Sequence, residues 1–297
     1  MFYGLPYQGG KSSIAEFISS ALPSADVFVD LFFGGGSITH RMLLEGRFAT
    51  IIANDQNRLS IGLFSDCISG KVPSPRWVSH EEFDSVKTED AYAACCFSFG
   101  TDWHSYLYSS DIEIHKQALH LAVVNSDFSL SRNLGYDLSF LGYSKDISVR
   151  LSLLRKAIAD RRGEMPHLER LQNVERLAHL ERLQNVERKR TKLILRTGDY
   201  RSLPIPDNAV VYCDPPYIGT KSYRGIKFDH KEFYDWCRSQ KALVIISEYT
   251  MPDDFVWIKS VKRVDSQGVG VRHSVTEKIF VHKSRFDEYQ SRMNLLF

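Results

Sequence analysis

The sequence lacks the strong net charge that many proteins with polyanionic partners carry. It has 38 Lys and Arg against 36 Asp and Glu, a formal net charge of +2 over 297 residues. So small a charge produces no strong field over the whole surface, and any nucleic-acid surface has to come from local basic patches. Composition therefore neither supports nor excludes a nucleic-acid partner.

Cysteine pairs at metal-binding spacing are also absent. The 5 cysteines include no C-x-x-C pair, and no histidine follows them at zinc-finger spacing. We therefore expect no metal site, because structural zinc needs such a ligand set. An odd number of cysteines at scattered positions is typical of buried thiols in a reducing compartment.

Membrane and export segments are missing as well. No apolar run approaches the roughly 20 residues that span a bilayer. The first residues show no basic segment followed by an apolar stretch, as a signal peptide would. These patterns predict a cytoplasmic protein without a membrane partner.

What is present begins with a strand, a glycine turn and a helix. Residues 27–32 have the pattern of a buried strand, residues 33–36 of a turn, and residues 37–45 of a helix with Ser37 as its N-cap. Short apolar strands then alternate with helical patterns, which predicts an α/β fold with a mostly parallel sheet. The other candidate segments are strands at 50–54, 193–197, 209–213, 243–247 and 277–283, and a helix at about 230–240.

The middle of the chain differs in pattern. Residues 67–191 read as helix and loop, rich in aromatic residues and poor in strand signals. We therefore predict a discontinuous α/β domain formed by residues 1–66 and 192–297, interrupted by a mainly helical insertion at 67–191.

A tandem repeat at 167–188 lies inside this insertion. The segment from His167 to Arg176 recurs unchanged from His179 to Arg188, and apolar residues fall at every third position. Steps of three residues drift by about 60° around a helix, so the apolar stripe winds round the cylinder. Two interpretations stay open: a spacer of tolerated length, or a basic surface for DNA or a partner. The second would use Arg170, Arg176, Arg182, Arg188, Lys189 and Arg190.

The glycine turn is the first candidate binding element. Such a turn between a strand and a helix lets a ligand lie against backbone at the carboxyl edge of a sheet. Asp55 follows it at the end of the next strand, where a carboxylate can accept hydrogen bonds from both ribose hydroxyls. The turn does not read G-x-G-x-x-G, which favours a nucleoside without phosphates, S-adenosylmethionine, over NAD. The alternative is a tight turn without a ligand. The candidate residues of the turn are Asp30, Gly34, Gly36 and Ser37.

The second element, Asp214-Pro215-Pro216-Tyr217, directly follows the apolar strand at 209–213. Two prolines fix φ and remove two backbone donors, so the chain leaves the sheet rigidly with carbonyls unclaimed by local pairing. The Asp214 carboxylate and the Pro215 carbonyl can then hold the two hydrogens of an exocyclic amine and aim its lone pair at a methyl group. Tyr217 can stack on a base that has flipped out of a duplex. The alternative is a plain Pro-Pro turn after a strand.

Together these motifs resemble the Dam-like family of bacterial and phage DNA adenine N6-methyltransferases. The matching segments follow the family's order: Tyr7-Gln8-Gly9-Gly10-Lys11, Phe33-Gly34-Gly35-Gly36-Ser37, Asn54-Asp55, Gly198-Asp199-Tyr200 and Asp214-Pro215-Pro216-Tyr217. The resemblance implies a Rossmann-like, seven-stranded methyltransferase sheet, S-adenosylmethionine as cofactor, double-stranded DNA as partner, and a target-recognition role for the insertion. It also implies that Tyr7, Lys11, Asp55 and Asp214 line the cofactor site, that Phe32 packs on the cofactor, and that Asp199 or Tyr200 lies beside its adenine.

The sequence disfavours two other chemistries and leaves three alternatives open. A P-loop ending at Lys11 is disfavoured, because the glycine it requires is replaced by Leu5. Cytosine C5 methylation needs a cysteine nucleophile, usually after proline, and the chain has no Pro-Cys dipeptide. Cytosine N4 methylation uses the same geometry, more often with serine at the first position of the tetrad. This reaction, RNA methylation and a catalytically inactive relative that binds DNA or cofactor stay open as alternatives.

Overall fold

A computed structural model describes residues 2–160, 171–183, 191–218, 228–265 and 273–294; at 263–265 and 273–274 it describes the backbone alone. The chain divides into two compact units. Unit 1 comprises Met1–Gly4, Gly10–Ile61 and Val186–Phe297, and unit 2 comprises Leu5–Gly9 and Gly62–Asn185.

Unit 1 is built on a seven-stranded sheet with the order β3-β2-β1-β4-β5-β7-β6. Only β7 runs antiparallel to its neighbours β5 and β6, and the other pairings are parallel. The predicted seven-stranded, mostly parallel sheet is therefore confirmed. The strands are β1 (Val27–Asp30), β2 (Thr50–Asp55), β3 (Lys192–Thr197), β4 (Val210–Cys213), β5 (Leu243–Glu248), β6 (Phe255–Asp265) and β7 (His273–His282).

The central strands form because their sequences are almost continuously apolar. Strands β4 and β5 are buried along their whole length, as expected of parallel strands covered on both faces. Val29, Val211 and Ile246 pack in one core with Phe233 and Cys237 of the amphipathic helix α10. The helices in this part of the chain are α1 (Ala15–Ser19), α2 (Ser37–Glu45), α3 (Arg58–Ile68, after β2), α10 (His230–Ser239) and α11 (Phe286–Asn294).

Strand β6 was not predicted from the sequence. It is the edge strand of the sheet and carries Lys259 and Lys262. Basic residues on an edge strand discourage pairing with another chain, but they also hide the alternation that identifies a strand. The two lysines interrupt the apolar pattern, and the segment therefore gave no strand prediction.

Unit 2 is mainly helical in its described part. One of its cores gathers Leu119, Val123, Leu141, Leu154 and Val174, all nearly inaccessible to solvent. Its helices are α4 (His80–Val86), α5 (Ala91–Cys96), α6 (Ser110–His120), α7 (Ser129–Asn133), α8 (Ile147–Asp160) and α9 (Gln172–Leu183). Leu121–Asn125 continues α6 as one turn of π-helix.

Helix α9 spans the junction between the two copies of the repeat. Its winding apolar stripe is buried throughout, at Leu171, Val174, Leu177, Leu180 and Leu183. A helix whose stripe turns around its axis needs apolar neighbours on several sides, and unit 2 provides them. The spacer interpretation is therefore wrong for residues 171–183, whose apolar side chains are part of the core.

The basic-surface interpretation of the repeat also fails at one of its residues. The Arg176 guanidinium donates to the backbone carbonyls of Cys96 and Ser98 at 3.1 and 2.6 Å, at the end of α5. This arginine therefore satisfies helix-terminal carbonyls rather than facing a partner. Arg182 is exposed. The other four residues of that proposed surface lie outside the described part of the chain.

Tyr7 belongs to unit 2, where its ring packs on Trp103 with centroids 5.6 Å apart. The Trp103 indole also donates to the Pro6 carbonyl at 3.2 Å. Trp103 and Thr101 both have positive φ, at 66° and 59°, which is uncommon for residues other than glycine. Contacts within unit 2 thus hold this segment in a strained conformation.

Two further properties concern the chain as described. Across those residues, no helix is both long and apolar enough to cross a membrane. The five cysteines are all free and buried, as the sequence predicted.

Candidate active site

The candidate site lies where the strand order of unit 1 reverses. Strands β1 and β4 are neighbours, with Asp30 in register with Tyr212, and the Leu31 amide donates to the Tyr212 carbonyl at 3.0 Å. The glycine turn after β1 and the Asp-Pro-Pro-Tyr segment after β4 therefore leave the same edge of the sheet. This adjacency is what the sequence argument requires, and open α/β sheets bind ligands at such a switch point.

The glycine turn needs glycine for reasons of space as well as conformation. Gly34 and Gly36 have φ of 53° and 74°, and a Cβ on Gly36 would lie 2.3 Å from Cζ of Phe33. Gly36 is itself the N-cap of α2, so the prediction of Ser37 as N-cap is wrong. The Ser37 hydroxyl instead donates to the Tyr3 carbonyl at 3.0 Å.

The N-terminal segment lies directly against this turn, a contact that the sequence did not reveal. Gly4 has φ +72°, and a Cβ there would lie 2.5 Å from the Gly35 carbonyl oxygen. The Gly4 amide donates to His40 Nδ1 at 3.1 Å, which ties the segment to α2. Gly4 of the N-terminal segment therefore packs directly against the glycine turn at the start of α2.

Asp55 at the end of β2 is bonded to the glycine turn. Its Oδ2 accepts the Gly34 amide at 2.7 Å and its Oδ1 accepts the Asn57 amide at 2.8 Å. These two bonds fix the orientation of the Asp55 carboxylate beside the turn.

Asp30 is buried and supports α2. Its Oδ2 accepts the Thr39 hydroxyl at 2.7 Å and the Thr39 amide at 3.2 Å. Burial raises the pKa of Asp30 to about 7, against the Thr39 hydroxyl bond, and the negative charges of Asp214 and Asp55 add to the increase. Structurally, Asp30 therefore acts as a support beneath the turn.

Phe32 and Tyr200 lie together in an aromatic cluster. Their ring centroids are 5.2 Å apart, and both rings also contact Phe233 of α10. Asp199, one residue before Tyr200, is ion-paired with Arg201 at 2.6 Å. The hydrogen bond from Arg201 lowers the pKa of Asp199. The sequence-predicted pair Asp199 and Tyr200 thus follows β3, the strand beside β2.

The central contact of the site is an ion pair between Lys11 and Asp214. Lys11 Nζ lies 2.7 Å from Asp214 Oδ2, with side chains only 6% and 17% exposed. The other oxygen, Oδ1, is buried and accepts no hydrogen bond within the described part of the chain. One carboxylate oxygen is therefore fixed by the lysine, while the second is available as an acceptor.

The prolines and Tyr217 complete the tetrad. His230 Nε2 lies 2.8 Å from the Pro216 carbonyl; because a carbonyl only accepts, this nitrogen carries the proton. The buried Tyr217 ring has the Lys11 ammonium 4.7 Å from its centroid. It also meets Tyr249 edge to face, with centroids 4.6 Å apart.

Glu277 of β7 is a site residue that the sequence analysis missed. Its carboxylate accepts the Tyr217 hydroxyl and lies 3.9 Å from Lys11 Nζ. One signal was available: Glu277 occupies the inward phase of a strand whose buried positions include Ile279 and Val281. An acid in that phase has to be paired or functional.

The end of β5 is buried at the same edge of the sheet. The Tyr212 hydroxyl donates to Ser247 Oγ at 3.0 Å, and Glu248 Oε1 accepts the Tyr249 amide at 2.8 Å. Burial raises the pKa of Glu248 to about 8, and the nearby charge of Asp214 adds to the increase.

Comparison with known proteins supports a methyltransferase assignment. A family model described as D12 class N6 adenine-specific DNA methyltransferase matches residues 7–94. This range includes Lys11, the glycine turn and Asp55. No curated protein sequence matches the chain significantly.

Two solved structures of the rRNA methyltransferase aviRa from Streptomyces viridochromogenes are similar in outline. The first has 13% identity and a TM-score of 0.33, covering 94% of this chain and 87% of that chain. The second has 13% identity and a TM-score of 0.32, covering 93% and 84%. Likeness at this level adds nothing to the assignment, which rests on the family match and on the motifs. On those two grounds, the chain is similar, over residues 7–94, to the D12 class of N6 adenine-specific DNA methyltransferases.

Proposed function

We propose that this protein transfers a methyl group from S-adenosylmethionine to the N6 amino group of adenine in double-stranded DNA. The observation that carries the proposal is the state of Asp214. Its Oδ2 is held by Lys11 at 2.7 Å, while its buried Oδ1 accepts no hydrogen bond from any described residue. A buried acceptor without a donor is costly unless a ligand supplies one, and an exocyclic amine does.

The residues around the glycine turn fit the proposed donor. Gly34 and Gly36 keep side chains away from the turn, and the Asp55 carboxylate is bonded to the turn at Gly34, where we assign it to the ribose hydroxyls. Asp30, Asp55 and Asp214 lie near one another: burial chiefly raises the pKa of Asp30, and the charges of Asp214 and Asp55 add to the increase. S-adenosylmethionine supplies a methyl group on a positively charged sulfonium, and such a cation suits this surplus of acids. By family resemblance, Tyr7 also lines the cofactor site.

The tetrad then accounts for the orientation of the amine. Asp214 Oδ1 and the Pro215 carbonyl accept its two hydrogens, because His230 occupies the Pro216 carbonyl. Holding both hydrogens biases the nitrogen towards tetrahedral geometry and aims its lone pair at the methyl group. Tyr217 has the Lys11 ammonium against its ring, so a base stacks on the opposite face. Catalysis rests on alignment and electrostatics, without a covalent intermediate.

The double-stranded substrate and the role of unit 2 are part of the same proposal. An adenine inside a duplex cannot reach a buried carboxylate, so it has to flip out of the stack. Unit 2 is the part of the chain outside the sheet-forming unit, and we assign it to target recognition.

A transfer assay with matched variants tests the proposal. The substrate is unmethylated duplex DNA of mixed sequence with a tritiated donor, and Asp214→Asn is compared with Asp207→Asn, an exposed aspartate paired with Lys241. We expect incorporation by the wild type and by Asp207→Asn, and a loss of at least about 100-fold in Asp214→Asn. Digestion to nucleosides identifies N6-methyladenine. Label in N4-methylcytosine, or equal activity of the two variants, would overturn the proposal.

A further inference from the structure

Glu277 combines full burial with two contacts to the candidate active site. Its side chain is 0% exposed. It accepts the Tyr217 hydroxyl and lies 3.9 Å from the Lys11 ammonium. The same ammonium bonds Asp214 at 2.7 Å, so one lysine interacts with two carboxylates that come from different strands.

Sheet topology explains how a residue from β7 reaches this site. Strand β7 runs antiparallel to β5, and its Lys278 is in register with Glu248, the last residue of β5. Glu277 is adjacent to that position, at the edge where β5 ends and the tetrad leaves β4. The reversed direction of β7 therefore brings a mid-strand side chain to the carboxyl edge of the parallel strands.

A carboxylate in the core needs a reason to be there. Removing an ionised carboxylate from water costs several kcal/mol even after relaxation, and the inward positions near Glu277 are apolar, at Ile279 and Val281. An apolar set in place of Glu277, the Lys11 ammonium and the Tyr217 hydroxyl would pack at lower cost. Structure alone therefore does not require an acid at this position.

We propose that Glu277 is a positioning residue for methyl transfer. It fixes the Tyr217 ring through the hydroxyl and holds the Lys11 ammonium between two carboxylates, which sets the direction of Asp214 Oδ1. This inference rests on the proposed function, because the acceptor that it orients is the one assigned to the amine. Glu277 touches neither base nor donor in this scheme and acts through Tyr217 and Lys11.

Loss of the glutamate frees both groups that it restrains. Without it the Tyr217 hydroxyl is a buried donor with one acceptor fewer, and the ring can rotate away from the base. The Lys11 ammonium can move fully onto Asp214 and compete with the amine for its carboxylate. Misplacement of about 1 Å can cost roughly 100-fold in rate, so kcat should fall while KM for DNA changes little.

Two substitutions separate positioning from packing. Glu277→Gln keeps an oxygen for the Tyr217 hydroxyl and removes the charge, while Glu277→Leu removes both and suits the apolar surroundings. We expect kcat to fall about 10-fold in Glu277→Gln and about 100-fold in Glu277→Leu, with KM for DNA within about threefold. Glu288→Gln in α11, where Glu288 is paired with Arg285 and Arg292, is the control. A Glu277→Leu protein with wild-type kcat would overturn the inference.

A measurement that does not need activity tests the link to Tyr217 directly. Thermal unfolding is compared for Glu277→Leu, Tyr217→Phe and the double variant, because each single substitution removes the contact. If the two side chains act through one contact, the double variant loses less Tm than the sum of the two single losses. Additive losses would refute the link whether or not the enzyme is active. Coupled losses in a protein that transfers no methyl group would contradict the proposed function alone.

Discussion

Replacing Lys11 by methionine is the sharpest test of the buried ion pairs in the candidate active site. Methionine keeps the length of the side chain and removes its charge, at a position only 6% exposed. The change leaves Asp214 and Glu277, previously 2.7 and 3.9 Å from Nζ, without that cation. We expect a folded but clearly destabilised protein with no methyl transfer.

The expected loss of stability follows from the burial of the pair. Removing one partner of a buried ion pair costs about 3–5 kcal/mol, and Asp214 keeps some contact with water at 17% exposure. We therefore expect about 3 kcal/mol, the lower end of that range. For a chain of 297 residues, this loss lowers Tm by roughly 5 °C.

The measurement is urea denaturation at pH 8, followed by circular dichroism. Lys241→Met serves as control, since that side chain is 78% exposed and its ion pair with Asp207 is worth little. A loss below about 1 kcal/mol at pH 8 would show that the pair is not a buried interaction in solution.

Three further predictions follow from individual contacts. The raised pKa of Glu248, about 8, means that its contribution to stability falls as the pH rises from 5 to 8, by at most about 1.4 kcal/mol per pH unit. Glu248→Gln should therefore flatten the pH dependence of urea midpoints, and an unchanged slope would contradict the raised pKa. Gly36→Ala should lower the free energy of unfolding by about 2 kcal/mol or more, because position 36 has a left-handed backbone and the new Cβ would clash with the Phe33 ring. Gly62→Ala in α3, where an added Cβ meets open space, should leave that free energy unchanged or raise it. Arg176→Met should cost about 1.5–3 kcal/mol and speed proteolysis of unit 2, and equal behaviour of the exposed Arg182→Met would refute its role at the end of α5.

The sequence predicted best the features whose chemistry is local. The glycine turn, Asp55 at the end of β2 and the tetrad after β4 each depend on a few consecutive residues. Strand and helix bounds were close wherever the apolar pattern was unbroken: α2 was predicted at 37–45 and is found at Ser37–Glu45. The adjacency of β1 and β4 also followed, because it is a property of the predicted sheet.

The features that were missed depend on contacts between distant residues. Glu277 is separated from Tyr217 by 60 positions, and no periodicity relates them. Ser37 was predicted as an N-cap by residue type, but its hydroxyl bonds Tyr3, on a segment that lies against the turn. The three-residue spacing of the apolar residues in α9 correctly excluded a helix with a single apolar face. Periodicity alone could not show that apolar neighbours surround the helix.

The concentration of acids at one edge of the sheet connects stability with the proposed chemistry. Asp30 and Glu248 have pKa values raised to about 7 and about 8, chiefly by burial. A raised pKa in the folded state means that both groups lower stability at neutral pH relative to an unburied acid. A fold shaped only by stability would gain from neutral side chains at these positions. A cationic ligand reverses this balance, since its charge is stabilised by the same acids that the empty fold tolerates at a cost. In the proposed reaction the donor loses its positive charge on methyl transfer, so those acids that are ionised would favour the donor over its neutral product.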